Sequence, residues 1–567
     1  MVLIGWNKQE IQIQAKNLAM FGYGNWHHRA VATRSPLFAR TIVIVQPEQA
    51  DLILCCLDMG CITHAMREPV QHALSHEAWF DGQQLLLMAT HTHSAPGGCG
   101  YEALYNMPTP GFVPEHVAAI ACAVVQSIYT AKEQAAATEV RVSQAHFDAD
   151  TPVAWNRSIH AYNRNPDVVQ RTEDETHLAV ERTMDVFGFY RQDKLEALMS
   201  LFGVHATCLG NTLKQYSGDN KGYAAALSED YLLSQGVKQP VAIFAQSLAG
   251  DISPHFHGKD QWQKRKQIRG EAEYAYAEQN GRYQSELALH ALTQAIPLDI
   301  SVVDTVYQYI DLNHIHIDAE FAFGQENAYT SPACHGASFF AGAPVDGRGA
   351  AQPIVKAMQF LSKQLRKSHS NPQHPHYKKY QALYASQGVK AIVLETGNKR
   401  LLGRKLNMAP GFADPLIAEM NRQYKADALK ESEMVAHIVP IQLLRLGHIV
   451  LLCCPGEITT TAGKRLIATV QQQLGASYQV QLISYCNDYM GYITTYEEYQ
   501  QQAYEGGHTL FGQWTLAAFQ SKFKVLAQQL KMDKAQRQLD NGLIPKVPPQ
   551  KELALRTNYG SHKTAVK

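Results

Sequence analysis

The hydrophobic pattern of the chain consists mainly of short apolar runs separated by polar, glycine-rich loops. Runs such as Leu85–Met88, Ala197–Val204 and Val241–Gln246 have the length of buried strands. Other segments, such as Pro114–Lys132, repeat their apolar residues at helical spacing. The alternation of the two patterns predicts a mixed α/β fold.

Several of these predicted strands end in side chains that bind metals. The run Leu85–Met88 leads into Thr90-His91-Thr92-His93, and we expect this strand to end at His91. Since side chains alternate along an extended chain, His91 and His93 are predicted to project from one face. Three further strands lead to other candidate ligands. The four candidates are His91, His205, Glu457 and Tyr492.

Two histidines, one carboxylate and an open position suit a catalytic zinc ion, which activates water and polarises a carbonyl oxygen. Tyr492 is a rarer type of ligand, because a free tyrosine has a pKa of about 10 and ionises at neutral pH only beside the metal's charge. The four residues lie far apart in sequence, and no compact HExxH motif supports them. Spacing alone therefore leaves an ordinary strand end with two histidines as the alternative.

Composition excludes several classes of function. The 567 residues are 46% hydrophobic, enough for one large elaborated domain or two smaller ones. Lys+Arg and Asp+Glu are both 51, so electrostatics give no basis for nucleic-acid binding. The ten cysteines form no CxxC pair. With no membrane-spanning run and no signal-peptide pattern, the sequence predicts a cytoplasmic protein.

Three polar segments are predicted to lie outside any site. Residues 255–295 are charged and are expected to form a solvated helical excursion. Residues 361–380 are basic and are expected to form an exposed loop. Contact with anionic lipid headgroups is the alternative there, and it is less favoured because a loop lacks the apolar face of an interfacial helix. Residues 531–567 are predicted to be a basic, irregular C-terminal tail.

Nine short motifs follow one another along the chain, and their joint order is far more specific than any one of them. They are Thr90-His91-Thr92-His93-Ser94 with Pro96-Gly97-Gly98, Asn156-Arg157-Ser158, Val204-His205-Ala206-Thr207, Ser217–Ala224, Phe244-Ala245-Gln246 with Gly250–Pro254, Phe340-Ala341-Gly342 with Asp346-Gly347, Pro455-Gly456-Glu457, Gly491–Thr495 and Tyr504-Glu505-Gly506. From about Met20 to about Ala517 the chain resembles the neutral (non-lysosomal) ceramidase family. These hydrolases cleave the N-acyl amide of ceramide into sphingosine and a fatty acid.

The resemblance implies a fold, a cofactor and a set of site residues. The fold would be one large catalytic domain over residues 1–530, with stacked mixed β-sheets flanked by helices. The cofactor would be one Zn²⁺ per chain. Its implied ligands are His91, His205, Glu457 and Tyr492. Ser253 matches the family's essential serine, and the residues that match substrate contacts at the scissile amide are His93, Arg157 and Tyr504.

Two mechanisms fit these residues. In one, zinc-activated water attacks the amide carbon, and Arg157, Tyr504 or His93 stabilises the oxyanion. In the other, Ser253 attacks and an acyl-enzyme forms. We favour the first mechanism, with Ser253 assisting, because the sequence has no Gly-x-Ser-x-Gly elbow. A structural turn hydroxyl before Pro254 remains the plain alternative for Ser253.

The sequence also departs from the family pattern. Family members carry a further C-terminal immunoglobulin-like domain, which is expected to be missing here together with a second, structural metal site between the domains. They are usually secreted or membrane-associated, whereas no signal segment is seen here. Residues 255–295 and 371–440 are expected to fit the family poorly.

The resulting prediction is a zinc-dependent amidohydrolase acting on ceramide or a related N-acyl sphingoid lipid. Its expected partners are a lipid-like N-acyl substrate and, transiently, a membrane surface, with no nucleic acid and no obligate protein partner. One alternative is an amidase for a shorter N-acyl compound, such as an N-acyl amino acid or an N-acyl homoserine lactone. Another is a lipid-binding protein without catalysis. The presence of all four predicted ligands and of Ser253 argues against it.

Overall fold

The computed structural model of the protein describes residues 2–258, 260–408, 411–412, 414–540 and 542–557. Its strands are β1 (Val2–Glu10), β2 (Leu18–Ala19), β3 (Arg29–Ala30), β4 (Ala32–Thr33), β5 (Phe38–Val45), β6 (Leu52–Leu57), β7 (Leu85–Ala89), β8 (Ala136–His146), β9 (Trp155–Asn156), β10 (Thr183–Arg191), β11 (Lys194–Leu201), β12 (Gln215–Tyr216), β13 (Val241–Ala245), β14 (Ile252–Ser253), β15 (Ile296–Pro297), β16 (Val303–Asp311), β17 (His335–Gly336), β18 (Gly342–Ala343), β19 (Gly347–Arg348), β20 (Ile392–Glu395), β21 (Arg400–Leu401), β22 (Arg404–Lys405), β23 (Ile438–Leu446), β24 (Ile449–Cys453), β25 (Glu457–Ile458), β26 (Gln479–Ile483) and β27 (Tyr492–Ile493).

The α-helices are α1 (His64–Leu74), α2 (Pro114–Glu133), α3 (Ile159–Tyr162), α4 (Asp219–Ser234), α5 (Gln261–Gln267), α6 (Glu271–Leu292), α7 (Ala337–Phe340), α8 (Gln352–His369), α9 (Tyr377–Gln387), α10 (Pro415–Lys425), α11 (Thr460–Leu474), α12 (Tyr496–Gln501), α13 (Tyr504–Gly507), α14 (Thr515–Lys531) and α15 (Gln550–Arg556). The 3-10 turns are Gly82–Gln84, Leu104–Asn106, Glu173–Leu178, Leu312–His314, Ala319–Phe321, Leu406–Met408 and Lys534–Gln536.

Two stacked mixed sheets form the centre of the fold. The larger has nine strands in the order β13-β11-β10-β8-β1-β5-β6-β7, with β15 paired to β8. The smaller has the order β16-β23-β24-β26. Each combines antiparallel and parallel pairs, such as β6 with β7 and β24 with β26 in parallel. The fully apolar strands β6, β7, β13 and β24 are buried on both faces, because helices or the other sheet cover them.

The core between the two sheets is one apolar cluster. Leu86 and Ile243 of the larger sheet pack in it with Leu451 and Ile483 of the smaller one. Helix α2 covers β1 and β5, the pair α4 and α6 covers the opposite end of the larger sheet, and α11 and α14 cover the smaller sheet. The predicted mixed α/β fold of stacked sheets flanked by helices is confirmed.

Two of the polar segments differ from their predictions. Residues 255–295 are not a solvated excursion, because α6 buries Tyr274, Ala277 and Ala288 against its neighbours. Gly281 allows α6 to approach α4 closely, since a Cβ atom at this position would lie 2.6 Å from the Asn220 carbonyl oxygen. Residues 361–380 are not a loop. They form the second half of α8, a short turn and the start of α9.

The strand before the first histidine pair is shorter than predicted. Strand β7 ends at Ala89, and His91 has a φ of +63°, so the strand's alternation does not continue to His93. The two rings nevertheless lie together, with centroids 4.7 Å apart. Their proximity comes from the turn and from the pairing of Thr92 with Ala206.

The C-terminal segment lies against the body of the protein as far as it is described. Arg556 of α15 is buried and donates a hydrogen bond to the Tyr101 carbonyl oxygen, and the Glu552 carboxylate accepts hydrogen bonds from the backbone of Glu431 and Ser432. Residues 558–567 lie outside the described part of the chain. The boundary at residue 530 stays a prediction.

Within the described part of the chain, no helix has the length and apolar character that crossing a membrane requires.

The close contact of α4 and α6 gives a stability prediction with a matched control. Gly281→Ala places its methyl group against the α4 backbone, and we expect the free energy of unfolding to fall by about 1–3 kcal/mol. Gly222→Ala in α4 meets no atom within 4 Å and should be neutral or stabilising by up to about 1 kcal/mol, because alanine favours helices. Denaturant unfolding of both variants checks this. An equal effect of the two changes would contradict it.

Candidate active site

The candidate site lies where loops from both sheets converge. His91 follows β7, His205 follows β11, and Glu457 and Tyr492 face each other in the two-residue parallel pair of β25 and β27. The pairing of β14 with β9 places Ser253 opposite Trp155, two residues before Arg157. Strand ends that meet in this way bring distant side chains together, as the sequence predicted.

His91, His205 and Glu457 form the one group of histidine, cysteine and acidic side chains in the described residues that is close enough to hold a metal ion. Their possible ligand atoms all lie within 4.8 Å of one another, and all three residues are buried. The Glu457 Oε2 atom is 3.0 Å from His205 Nε2 and 3.5 Å from His91 Nε2.

The hydrogen bonds at the Nδ1 atoms of His91 and His205 show which nitrogen of each ring carries the proton. His91 Nδ1 lies 2.5 Å from the Gly60 carbonyl oxygen, and His205 Nδ1 lies 2.7 Å from that of Ala249. A carbonyl only accepts, so each Nδ1 carries the proton and each Nε2 presents a lone pair to the group. Burial lowers the pKa of His205 and keeps its ring neutral.

Two acceptors therefore face each other, the Nε2 atom of His205 and the carboxylate of Glu457. A cation between them satisfies both, and two imidazole nitrogens with one carboxylate are a donor set typical of zinc. The residues present thus fit a divalent metal. The phenol oxygen of Tyr492 lies 3.3 Å from His205 Nε2 and accepts a hydrogen bond of 2.8 Å from Arg157.

Two tyrosines that the sequence analysis missed hold the Glu457 carboxylate. Tyr489 donates to its Oε1 atom at 2.5 Å, and Tyr485 donates to Oε2 at 3.3 Å while its ring stacks on His91 at 4.1 Å. Both tyrosines lie in the segment that leads to Tyr492. Their position between the apolar strand β26 and a candidate ligand is the signal that could have identified them.

Arg157 is a buried hub held by two carboxylates that were also missed. Its Nη1 atom donates to Asp346 at 3.0 Å, its Nε atom donates to Glu505 at 2.9 Å, and Nη2 donates to Tyr492 and to the Gly250 carbonyl oxygen. Asp346 and Glu505 stand in the ordered motifs, so motif membership was the available signal. With most of its donors occupied by protein groups, Arg157 fixes the orientation of Tyr492.

Ser253 belongs to the same network. Its hydroxyl donates to Asp346 Oδ1 at 2.7 Å and accepts from the backbone N–H of His255 at 3.0 Å, and Thr207 donates to the same Asp346 oxygen. Burial opposes ionisation of Asp346, but the charge of Arg157 outweighs it and holds the pKa of this carboxyl well below its usual range. Ser253 is therefore bonded to a weak base.

The two remaining predicted residues border the group. The Nε2 atom of His93 lies 3.2 Å from that of His91, and His93 Nδ1 is buried without a hydrogen-bond partner in the described structure. Burial lowers the pKa of His93 well below its usual value. Tyr504 is half-buried, with its ring 5.5 Å from that of Tyr492. The structure thus brings all eight predicted site residues together, while their individual roles stay predictions.

A small cavity adjoins this group. It touches the site through Gly60, whose carbonyl holds His91, and through Tyr489, which holds Glu457. Much of its remaining wall is apolar or aromatic. This part includes Phe21, Met59, Cys61, Met66 and Tyr105.

The sequence profile described as "Neutral/alkaline non-lysosomal ceramidase, N-terminal" matches residues 2–405 and 424–521. The chain belongs to this family. The match covers residues 255–295 and most of 371–440, so the expected poor fit of these segments is wrong except at residues 406–423. Membership in this ceramidase family makes the protein an amide hydrolase, as the sequence predicted.

Relatives and solved structures agree with this assignment. The chain is 30% identical over 552 residues to a neutral ceramidase of Mycobacterium tuberculosis, covering 94% of this chain and 77% of the relative. It is 29% identical to a neutral ceramidase of Pseudomonas aeruginosa, with coverages of 93% and 72%. The crystal structure of a neutral ceramidase from P. aeruginosa superposes with a TM-score of 0.76 at 26% identity, over 96% of this chain and 76% of the other.

A ceramidase solved in complex with C2 gives the same TM-score of 0.76 at 27% identity, over 96% of this chain and 77% of that one.

The metal-binding group gives a direct prediction. His91→Ala and His205→Ala each remove one of three closely spaced donors, so we expect purified protein to lose most of its bound divalent metal. His64→Ala, which removes a histidine buried in α1 outside the group, should retain the metal. Elemental analysis of the three variants and the unchanged protein is the measurement. Full metal content in either ligand variant would show that the group is not the binding site.

Proposed function

We propose that this protein is a zinc-dependent amidohydrolase that cleaves the N-acyl amide bond of ceramide or a related N-acyl sphingoid lipid. The products are a free fatty acid and a sphingoid base. The observation that carries the proposal is the buried group of His91, His205 and Glu457, whose lone pairs face one another beside an apolar cavity. Family membership supplies the reaction class.

The zinc ion would be held by His91, His205, Glu457 and Tyr492. When bound, it supplies a Lewis acid that polarises an acyl carbonyl and activates water. The protein's own contribution is to fix the ligand side chains. The carbonyls of Gly60 and Ala249 orient the two imidazoles, and the phenols of Tyr485 and Tyr489 orient the carboxylate.

The residues around this group divide into substrate contacts and positioning residues. Tyr504 is half-buried, so its phenol is available for the amide of the substrate, and His93 borders the group with its Nε2 atom 3.2 Å from that of His91. Donors aimed at the developing oxyanion lower the barrier more than they stabilise the bound substrate. Arg157 acts through Tyr492, because its donors are taken up by Asp346, Glu505, Gly250 and Tyr492.

The contacts of Ser253 support an assisting role over a nucleophilic one. A serine nucleophile needs a base that accepts its proton, usually an imidazole. In the described residues its hydroxyl donates to Asp346, whose strongly acidic carboxyl is a poor proton acceptor. We therefore assign Ser253 to holding Asp346, and through it Arg157 and Tyr492, in place.

The first test concerns substrate and metal. We expect turnover of N-acyl sphingoid lipids with long acyl chains, loss of turnover on treatment with a chelator, and recovery on adding Zn²⁺. N-acyl amino acids and N-acyl homoserine lactones lack the sphingoid base of ceramide, the lipid after which the family is described, and should be hydrolysed more slowly. Product formation measured for each substrate shows which class of N-acyl compound the protein prefers. Turnover that persists after complete zinc removal would refute the metal-dependent reaction, and a preference for the short compounds would reassign the substrate.

The second test concerns Ser253. Ser253→Ala should reduce kcat by about 10- to 1000-fold with little change in KM, because an interaction that orients transition-state donors is lost. Thr207→Val removes the other hydroxyl bonded to Asp346 Oδ1 and should have a smaller effect, since Arg157 and Ser253 still hold this carboxylate. Mass spectrometry during turnover should find no acylated Ser253. A covalent acyl-enzyme on this serine would overturn the assignment.

A further inference from the structure

Helix α8 exposes an apolar face. Its inward side is Val355, Ser362 and His369, which recur every seven residues and are buried. On the outward side, Ile354 is 52% exposed, Phe360 61% and Leu361 48%. At 100° per residue these side chains fall within an arc of about 120°, a broad stripe along the helix. Apolar side chains grouped in this way on a surface mark an interaction site.

Lysines border this stripe. Lys356, Lys363 and Lys367 are exposed, and their spacing of seven and four residues places them along one edge of it. Helix α8 contains no acidic residue. Residues 347–405 carry twelve lysines and arginines and one acidic residue, Glu395, which is buried, although charges balance at 51 each over the whole chain. The positive charge is therefore concentrated around α8.

The apolar stripe and the lysines together indicate what kind of surface α8 binds. An apolar stripe edged by lysines is the pattern of helices that lie in the interface of an anionic bilayer, with apolar side chains among the acyl chains and lysines at the headgroups. A two-fold pairing of α8 with a second copy would bring like charges together, because each patch faces itself in such an interface. The charge of the face thus favours an anionic lipid surface over self-association.

Helix α8 is linked to the candidate site through α7. Ala337 of α7 packs with Val355 of α8, and Phe340 packs against the same cluster. The preceding residue of α7, Phe339, stacks on Tyr504 with ring centroids 6.1 Å apart. A surface that binds α8 would therefore lie close to the side of the site that carries Tyr504.

We propose that the exposed face of α8, formed by Ile354, Phe360, Leu361 and the three bordering lysines, docks the protein on an anionic lipid bilayer. Docking places the active site beside the surface that holds its lipid substrate. The role in substrate delivery rests on the proposed function, whereas binding of the bilayer does not. The bordering charges keep α8 in the plane of the interface.

Vesicle co-sedimentation tests the docking. We expect the unchanged protein to bind vesicles in which about one lipid in three is phosphatidylglycerol, and to bind pure phosphatidylcholine vesicles weakly. The double variant Phe360→Ser/Leu361→Ser should bind the anionic vesicles at least about tenfold more weakly. The triple variant Lys356→Ala/Lys363→Ala/Lys367→Ala should lose a similar factor at low salt, because each lysine near the membrane surface contributes to binding.

Matched controls separate this face from general surface effects. Tyr231→Ser/Leu233→Ser changes two α4 side chains that are each 47% exposed, and Lys16→Ala/Lys214→Ala/Lys238→Ala removes three exposed lysines elsewhere. Both control variants should bind like the unchanged protein. Absence of vesicle binding, or equal losses in α8 and control variants, would overturn the proposal. So would a dimer in light scattering that Phe360→Ser/Leu361→Ser dissociates.

Enzyme assays then separate the docking from the proposed function. The α8 variants should hydrolyse a water-soluble short-chain N-acyl sphingoid compound at the normal rate, and turnover of a long-chain substrate in anionic vesicles should fall at least about fivefold. Reduced turnover of both substrates would show that the face affects the site itself and contradict the docking role. If the unchanged protein hydrolyses neither substrate, the proposed function fails, while the vesicle result still decides the docking.

Discussion

The burial of charge at the junction of the two sheets is the constraint on which the rest of the structure depends. Asp346, Glu457 and Glu505 bring three carboxylates to one network, and Arg157 brings one guanidinium, which leaves an excess of two negative charges. A buried carboxylate is costly unless it is paired and fully hydrogen-bonded. The phenols, hydroxyls and backbone groups around the network supply hydrogen bonds, and one divalent cation would balance the charge.

This constraint explains why the site is built in layers. Side chains such as Tyr485 and Tyr489 are buried and donate hydrogen bonds to the Glu457 carboxylate. They therefore fix the orientation of this ligand without occupying the surface that a substrate would contact. Tyr504 is less buried and stands at the edge of the network. The separation of fixed and accessible groups is what preorganised catalysis requires, because groups that need no rearrangement stabilise the transition state most effectively.

Sequence patterns predicted the parts of the fold that depend on local periodicity. The apolar runs at β7, β11, β13 and β24 are strands, and the side chains that follow them converge. Asp346 and Glu505 could not be assigned a role in this way, because their partner Arg157 lies 189 and 348 residues away. Their pairing depends on how the sheets stack, and no short-range pattern encodes that.

The errors have equally physical causes. The loop expected over residues 361–380 is wrong at its start, where α8 continues to His369. Two prolines and several histidines follow the helix, and its apolar residues do not all face inward, so the local pattern does not show it. The extended geometry expected at His91 fails because the chain turns there through a positive φ. A helix with an outward apolar face departs from the rule that apolar faces are buried, and a histidine in the left-handed region departs from the preference of non-glycine residues for negative φ. Such departures concentrate at places where a protein contacts something other than itself.

The origin of the ligand side chains has a consequence for how the protein matures. The two imidazoles come from loops of the first sheet, whereas the carboxylate and the phenol come from the paired β25 and β27, hundreds of residues later. A nascent chain therefore cannot assemble the complete set until the second sheet has been synthesised and has docked on the first. A divalent cation held by this group would therefore bind late in folding and would stabilise the contact between the two sheets.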